Sequence, residues 1–179
     1  MSFSIPISGG ESGSPAGRAF PRIFCPDKAM TALDSDSTVP ALVSSLLVEQ
    51  VLREILLAGA YTVSRARGIG ETGVDVLAEK QGVRYHIESI SHKSSPPMRS
   101  RDFLEAFFRA VSRLDDGAHH CVIAVPHLTA RGLPDRARRY RVAWRRIAES
   151  FPELEVWIVN TDSRTVDRTT WIQWLQDPS

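Results

Sequence analysis

An α/β domain with the order helix, three strands, helix, strand is predicted for about residues 38 to 160. Three observations predict it: a long apolar helical repeat, a strand pair joined by the short turn Gln81-Gly82, and a continuous apolar run, Cys121 to Val125, that follows an amphipathic helix. With 179 residues, 42% of them hydrophobic, the chain is long enough for one ordinary domain with a real core. Residues 1 to 37 are rich in Ser, Gly and Pro and show no sustained apolar period, so they read as a flexible tail before a single domain at 38 to 179.

The first helix is expected at about 39 to 58, with Ser37 or Thr38 as N-cap, Pro40 in its first turn and Gly59 at its end. Leucines and valines occupy most of its circumference, which predicts burial on most sides. Strands follow at about 61 to 64, 73 to 79 and 83 to 90, the last two forming a hairpin. Pro96-Pro97 marks a loop before a helix at about 100 to 114 carrying Phe103, Phe107 and Phe108. A strand at 121 to 125, a helix at about 134 to 150 burying Tyr140 and Trp144, a strand at 154 to 159 and a short helical segment around Trp171 and Trp174 complete the chain.

No apolar run approaches the ~20 residues that span a bilayer, and the N-terminus lacks the features of a secretory signal. Cys25 and Cys121 form no disulfide framework, which fits a reducing, cytoplasmic setting. The net charge of +1 argues no general attraction to nucleic acid, yet seven arginines lie between Arg131 and Arg146 with Asp135 the only acid among them. Arg136, Arg138, Arg139 and Arg145 are therefore candidate phosphate contacts, with an acidic protein surface as the competing partner.

Two literal motifs are set aside on their context. Gly68-Ile69-Gly70-Glu71-Thr72-Gly73 matches the dinucleotide fingerprint but precedes a strand instead of opening a helix, so it reads as a flexible loop. His119, His120, Cys121 and His127 alternate between strand faces and lack the paired spacing of a zinc site.

The pair Asp75 and Glu88 stands out, because residues opposite each other across a hairpin lie roughly 5 Å apart on one face. Two carboxylates at that range repel by about 3 kcal/mol at an effective dielectric near 20, so the arrangement calls for a cation. Mg²⁺ (or Mn²⁺) suits hard oxygen ligands of this kind; two solvated carboxylates partnered by Lys80 and Arg84 are the plain alternative.

Glu49 on the first helix, Gly73-Val74-Asp75-Val76-Leu77, and Tyr85-His86-Ile87-Glu88, in this order of elements, resemble the restriction-endonuclease-like branch of the PD-(D/E)XK nuclease superfamily over about 120 residues. The resemblance implies an αβββαβ core with a mixed central sheet flanked by helices, and a metal-dependent nuclease hydrolysing DNA phosphodiester bonds. Asp75, Glu88 and the Ser89 carbonyl would ligate the ion, and Glu49 would bind a second ion or a water. The lysine that normally stands two residues after the glutamate is replaced by Ile90. Lys93 is the candidate to take over its task, with His86 and His92 as further candidates. The alternative is a catalytically degenerate member that binds nucleic acid or a protein partner, and a third reading makes the Phe107-Phe108 helix and the C-terminal tryptophans a homo-oligomer interface.

Overall fold

The computed structural model describes residues 42–175 except 67 and 69–71. The predicted tail, the predicted cap at Ser37 or Thr38, Pro40, and part of the glycine-rich loop lie outside the described residues.

Helix α1 spans Ser45–Ala58, a shorter helix than the one expected from residue 39. Ser44 is the cap: its hydroxyl accepts from the Leu47 N–H at 3.2 Å. Val43 just before it is extended, its carbonyl accepting from the His92 N–H at 2.8 Å. The helix buries one stripe, Val48, Val51, Leu52 and Leu56, while Leu46 and Leu57 are 74% and 59% exposed. The expectation of burial on most sides is thus corrected: only the face turned to the sheet is covered.

Strand β1 is Thr62–Val63, β2 is Val76–Lys80 and β3 is Val83–Ser89. The β2–β3 hairpin turns through Gln81 and Gly82, both with positive φ (54° and 77°), the backbone that a two-residue turn matching strand twist requires. Helix α2, Pro96–Ser112, starts earlier than expected, since the two prolines open its first turn, where a missing N–H costs nothing. Strand β4 is His120–Pro126 and is followed by a single helical turn, α3, at His127–Ala130.

The predicted helix from 134 to 150 is two helices, α4 at Leu133–Arg139 and α5 at Arg141–Ser150. They break at Tyr140 (φ −111°, ψ 31°), whose ring is 55% exposed instead of buried. Strand β5 is Leu154–Asn160, β6 is Thr165–Thr170, and a 3₁₀ turn covers Trp171–Leu175. Strand β6 lacks the apolar alternation that marks the inner strands, and its β-branched Thr-Val-Asp-Arg-Thr-Thr sequence is half-buried at most.

The six strands form one mixed sheet in chain order, β1 to β6. The pairs β1–β2, β2–β3 and β5–β6 are antiparallel, while β3–β4 and β4–β5 are parallel. The α/β class and the mixed sheet flanked by helices are as the sequence predicts. On one face α1 packs with Val76, Ala78, Ile87, Val122 and Ala124. On the other, residues of α2, α4 and α5 pack with Ile90, Cys121, Ile123 and Val125. No helix among the described residues is long and apolar enough to cross a membrane.

The C-terminal turn is fastened to α5 by a reciprocal pair. Trp144 Nε1 donates to the Trp171 carbonyl at 2.8 Å, Trp171 Nε1 donates to the Trp144 carbonyl at 3.1 Å, and the rings stack at 4.1 Å between centroids. Both rings are buried. Trp171→Ala is expected to lose about 3–5 kcal/mol by cavity formation and by removing the indole donor to the Trp144 carbonyl, measured as a lower midpoint in urea with an unchanged slope.

Candidate active site

The β2–β3 register brings the carboxylate pair together. Val76 faces Ile87 across the ladder, so one step further Asp75 stands opposite Glu88 where β2 begins. Along β3, residues His86, Glu88 and Ile90 alternate onto the face covered by α2. Glu88 is fully buried there and Asp75 is 6% exposed.

Arg109 of α2 and Arg113, the residue that caps the helix, reach these acids. Arg109 lies between them, its Nη2 at 3.1 Å from Asp75 Oδ1 and in an ion pair with Glu88 Oε2. Arg113 Nε donates to Glu88 Oε1 at 2.9 Å, and its Nη1 pairs with Asp116 at 3.0 Å. The Ser89 N–H and hydroxyl donate to Asp75 Oδ2 at 2.8 and 3.2 Å. All four carboxylate oxygens thus face a guanidinium or a Ser89 donor. Burial, and after it the charge of Asp75, push the Glu88 carboxyl above its ordinary pKa, while Arg109 and Arg113 pull it down.

Glu49 is held one layer away. It pairs with Arg53 at 2.9 Å, and Arg53 donates to the Asp75 carbonyl at 2.7 Å and to the Ser64 carbonyl. This link ties α1 to the start of β2 through the main chain of Asp75. Ile90, at the position of the family's lysine, is 5% exposed in the core under α2, and its N–H donates to the Ala124 carbonyl at 3.0 Å. Lys93 pairs with Asp102 at 2.8 Å, with Ser91 Oγ donating to the same carboxylate oxygen at 3.4 Å. His92 Nδ1 bonds Thr129 Oγ1 at 2.9 Å. His86 is 6% exposed with no hydrogen bond to either ring nitrogen, and burial foremost lowers its pKa, favouring the neutral ring.

The arginines singled out on the later helices divide into two groups. Arg138, Arg139 and Arg145 are exposed, Arg138 pairing with Asp135 of its own helix. Arg136 turns inward, donates to Ser100 Oγ at 2.8 Å and lies over the Phe103 ring at 5.0 Å from its centroid. Trp171 and Trp174 are engaged within the chain, Trp174 Nε1 donating to Thr169 Oγ1 at 3.0 Å.

Arg109 and Arg113 are the residues that sequence reasoning missed. A signal exists: they stand three residues beyond Ala106 and Ala110, two small residues of the buried stripe, so one flank of an apolar helix face carries cations at i and i+4.

A divalent ion does not fit this arrangement as it stands. The donor set is chemically suitable, two carboxylates and the Ser89 carbonyl, but the guanidinium of Arg109 occupies the gap between the carboxylates, and each oxygen already has a partner. Among the described residues no three His, Cys, Asp or Glu side chains cluster as a metal-binding group.

No family model matches the chain, and no curated protein matches it. Two solved structures are similar in fold. One is an XisH family protein from Nostoc punctiforme PCC 73102, 15% identical with a TM-score of 0.45, the match covering 69% of this chain and 98% of that one. The other is an fdxN element excision controlling factor protein from Anabaena variabilis, 14% identical with a TM-score of 0.43, covering 68% and 95%. At this distance the likeness says nothing about chemistry.

The ion-pair cluster sets a pH dependence. Glu88 has a folded pKa raised above its unfolded one, so the folded state binds the extra proton and stability falls as pH rises through that interval. Removing Arg109 takes away one of the attractions that oppose the rise and enlarges the loss wherever Glu88 is ionised. Arg109→Ala should cost about 2–3 kcal/mol at neutral pH, less than the ~3–5 of a fully buried pair because Arg113 remains and Arg109 is 38% exposed. The cost should shrink toward about pH 4, read as converging melting temperatures of variant and wild type.

Proposed function

We propose that this domain binds nucleic acid through its arginine-bearing helices and does not hydrolyse it. The observation that carries the reading is the occupation of all four oxygens of Asp75 and Glu88 by Arg109, Arg113 and Ser89. In a metal-dependent phosphodiesterase, two such carboxylates hold the ion that polarises phosphate and generates the attacking hydroxide. Here an internal guanidinium supplies the compensating charge, and a guanidinium offers no open coordination position for water. The residue needed beside the scissile phosphate is also missing from its place, with Ile90 in the core and Lys93 paired to Asp102.

The binding half of the reading rests on α4 and α5. Arg138, Arg139, Arg141, Arg145 and Arg146 are exposed there, and planar guanidinium groups suit bidentate contact with phosphate. Their neutralisation of a DNA backbone would release counterions and make affinity fall with salt.

A second reading, a Mg²⁺- or Mn²⁺-dependent nuclease acting on DNA, is favoured by one observation. Asp75 and Glu88 do face each other, and the Arg109 side chain between them is 38% exposed, so it has room to swing out.

The two readings separate in one set of measurements with purified full-length protein and single-stranded, double-stranded and branched DNA. Binding with equal affinity in EDTA and in Mg²⁺, without cleavage in Mg²⁺ or Mn²⁺, is expected. The triple variant Arg138→Ala, Arg139→Ala, Arg145→Ala should flatten the slope of log affinity against log salt by about two to three units, at ~0.9 for each phosphate no longer neutralised. Metal-dependent cleavage that Asp75→Ala abolishes would establish the nuclease instead.

A further inference from the structure

Between α2, α4, α5 and the C-terminal turn lies a cavity of about 590 Å³, within the ~300–1,000 Å³ of small-molecule sites. Its wall is mostly apolar and includes Phe103, Leu104, Phe107, Phe108, Tyr140 and Trp144. Arg136 stands at one end. A second cavity of about 360 Å³ adjoins it, sharing Ser100, Phe103 and Arg136 and adding Arg99 and Arg131 to its wall.

No carboxylate among the described residues offsets the charge at this junction, although Arg99 Nη1 donates to the Lys93 and Ser94 carbonyls at 2.5 and 2.7 Å. Among the described residues no carboxylate pairs with Arg99, Arg131 or Arg136, and the one acid on either wall, Asp135, is held by Arg138. Arg136 is drawn inward by Ser100 and the Phe103 ring, and burial lowers its pKa with no anion to offset the loss of water. An arginine half-withdrawn from water, flanked by two more and opening onto an aromatic chamber, matches a ligand that is anionic at one end and apolar along its body.

We infer that the paired cavities bind an amphipathic anion: its apolar tail fills the chamber lined by Phe107, Tyr140 and Trp144, and its phosphate or carboxylate head meets Arg136 with Arg99 and Arg131. The tail is hydrocarbon and not a nucleobase, because a base would bring several hydrogen-bonding edges into a chamber that offers few partners for them. The site is separate from the Asp75–Glu88 cluster, and it shares Arg139 with the surface proposed above for nucleic acid.

The test is a fluorescence titration of the full chain with 8-anilinonaphthalene-1-sulfonate, followed by displacement with dodecyl phosphate below its micellar concentration. Dodecanol supplies the tail without the charge, inorganic phosphate the charge without the tail, and adenosine monophosphate the nucleobase arm. Saturable one-to-one binding of the dye is expected, displaced by dodecyl phosphate at least tenfold more effectively than by dodecanol, phosphate or the nucleotide, about the worth of one charge-assisted contact. Arg131→Gln and Arg136→Gln should each weaken dodecyl phosphate about tenfold and leave dodecanol unchanged. Ala143→Trp, which narrows the mouth of the larger cavity, should remove both. Arg131 is exposed, so its variant keeps the test decisive if Arg136→Gln fails to fold. Unsaturable dye binding, equal displacement by dodecanol and dodecyl phosphate, or arginine variants with wild-type affinity would overturn the assignment.

Discussion

A carboxylate with no access to solvent has to be neutralised, and the arrangement around Glu88 follows from that constraint. Glu88 sits in the middle of the face that α2 covers, where an unpaired ionised carboxyl would cost several kcal/mol. The helix can descend over it only by bringing Arg109 and Arg113 along, and it can come close because Ala106 and Ala110 are small. Asp75 shares the same guanidinium, so the start of β2, the end of β3 and the C-terminal half of α2 are fixed to one another by a single charge cluster. Arg53 makes the corresponding link from the other face, through the main chain of Asp75 and the carboxylate of Glu49.

Much of this is legible in the sequence. Gln81-Gly82 marks the hairpin, and the hairpin alone puts Asp75 opposite Glu88, because register is set by the turn. The continuous apolar run of β4 announces a strand with both faces covered, and it is the centre of the parallel part of the sheet. The helix starts are less legible. Leu42 and Val43 fit the helical period and so point to a cap at Ser37 or Thr38, yet Val43 pairs with His92 as extended chain and the cap is Ser44.

What the sequence conceals depends on where long side chains point. Arg136 belongs to a run of arginines that looks uniformly solvated, and only the packing of α4 on α2 turns it toward Ser100 and Phe103. Arg109 and Arg113 are hidden for a related reason. Proximity along the chain points to Lys93, just downstream of β3, as the cation near the acids, whereas the cations that arrive there come from a helix some twenty residues further along the chain.

The outer strands bear on how the sheet ends. At one side β1 is only two residues long, and at the other β6 carries Asp167 and Arg168 among threonines, with the Arg168 guanidinium 4.1 Å above the Trp157 ring of its neighbour. A brief strand and a charged, polar strand are poor templates for another chain to pair with, since an incoming strand finds little ladder on one side and must set its side chains beside charged ones on the other. Both edges of the described sheet thus disfavour growth by strand addition, leaving its apolar central strands, β4 and β5, paired on both sides.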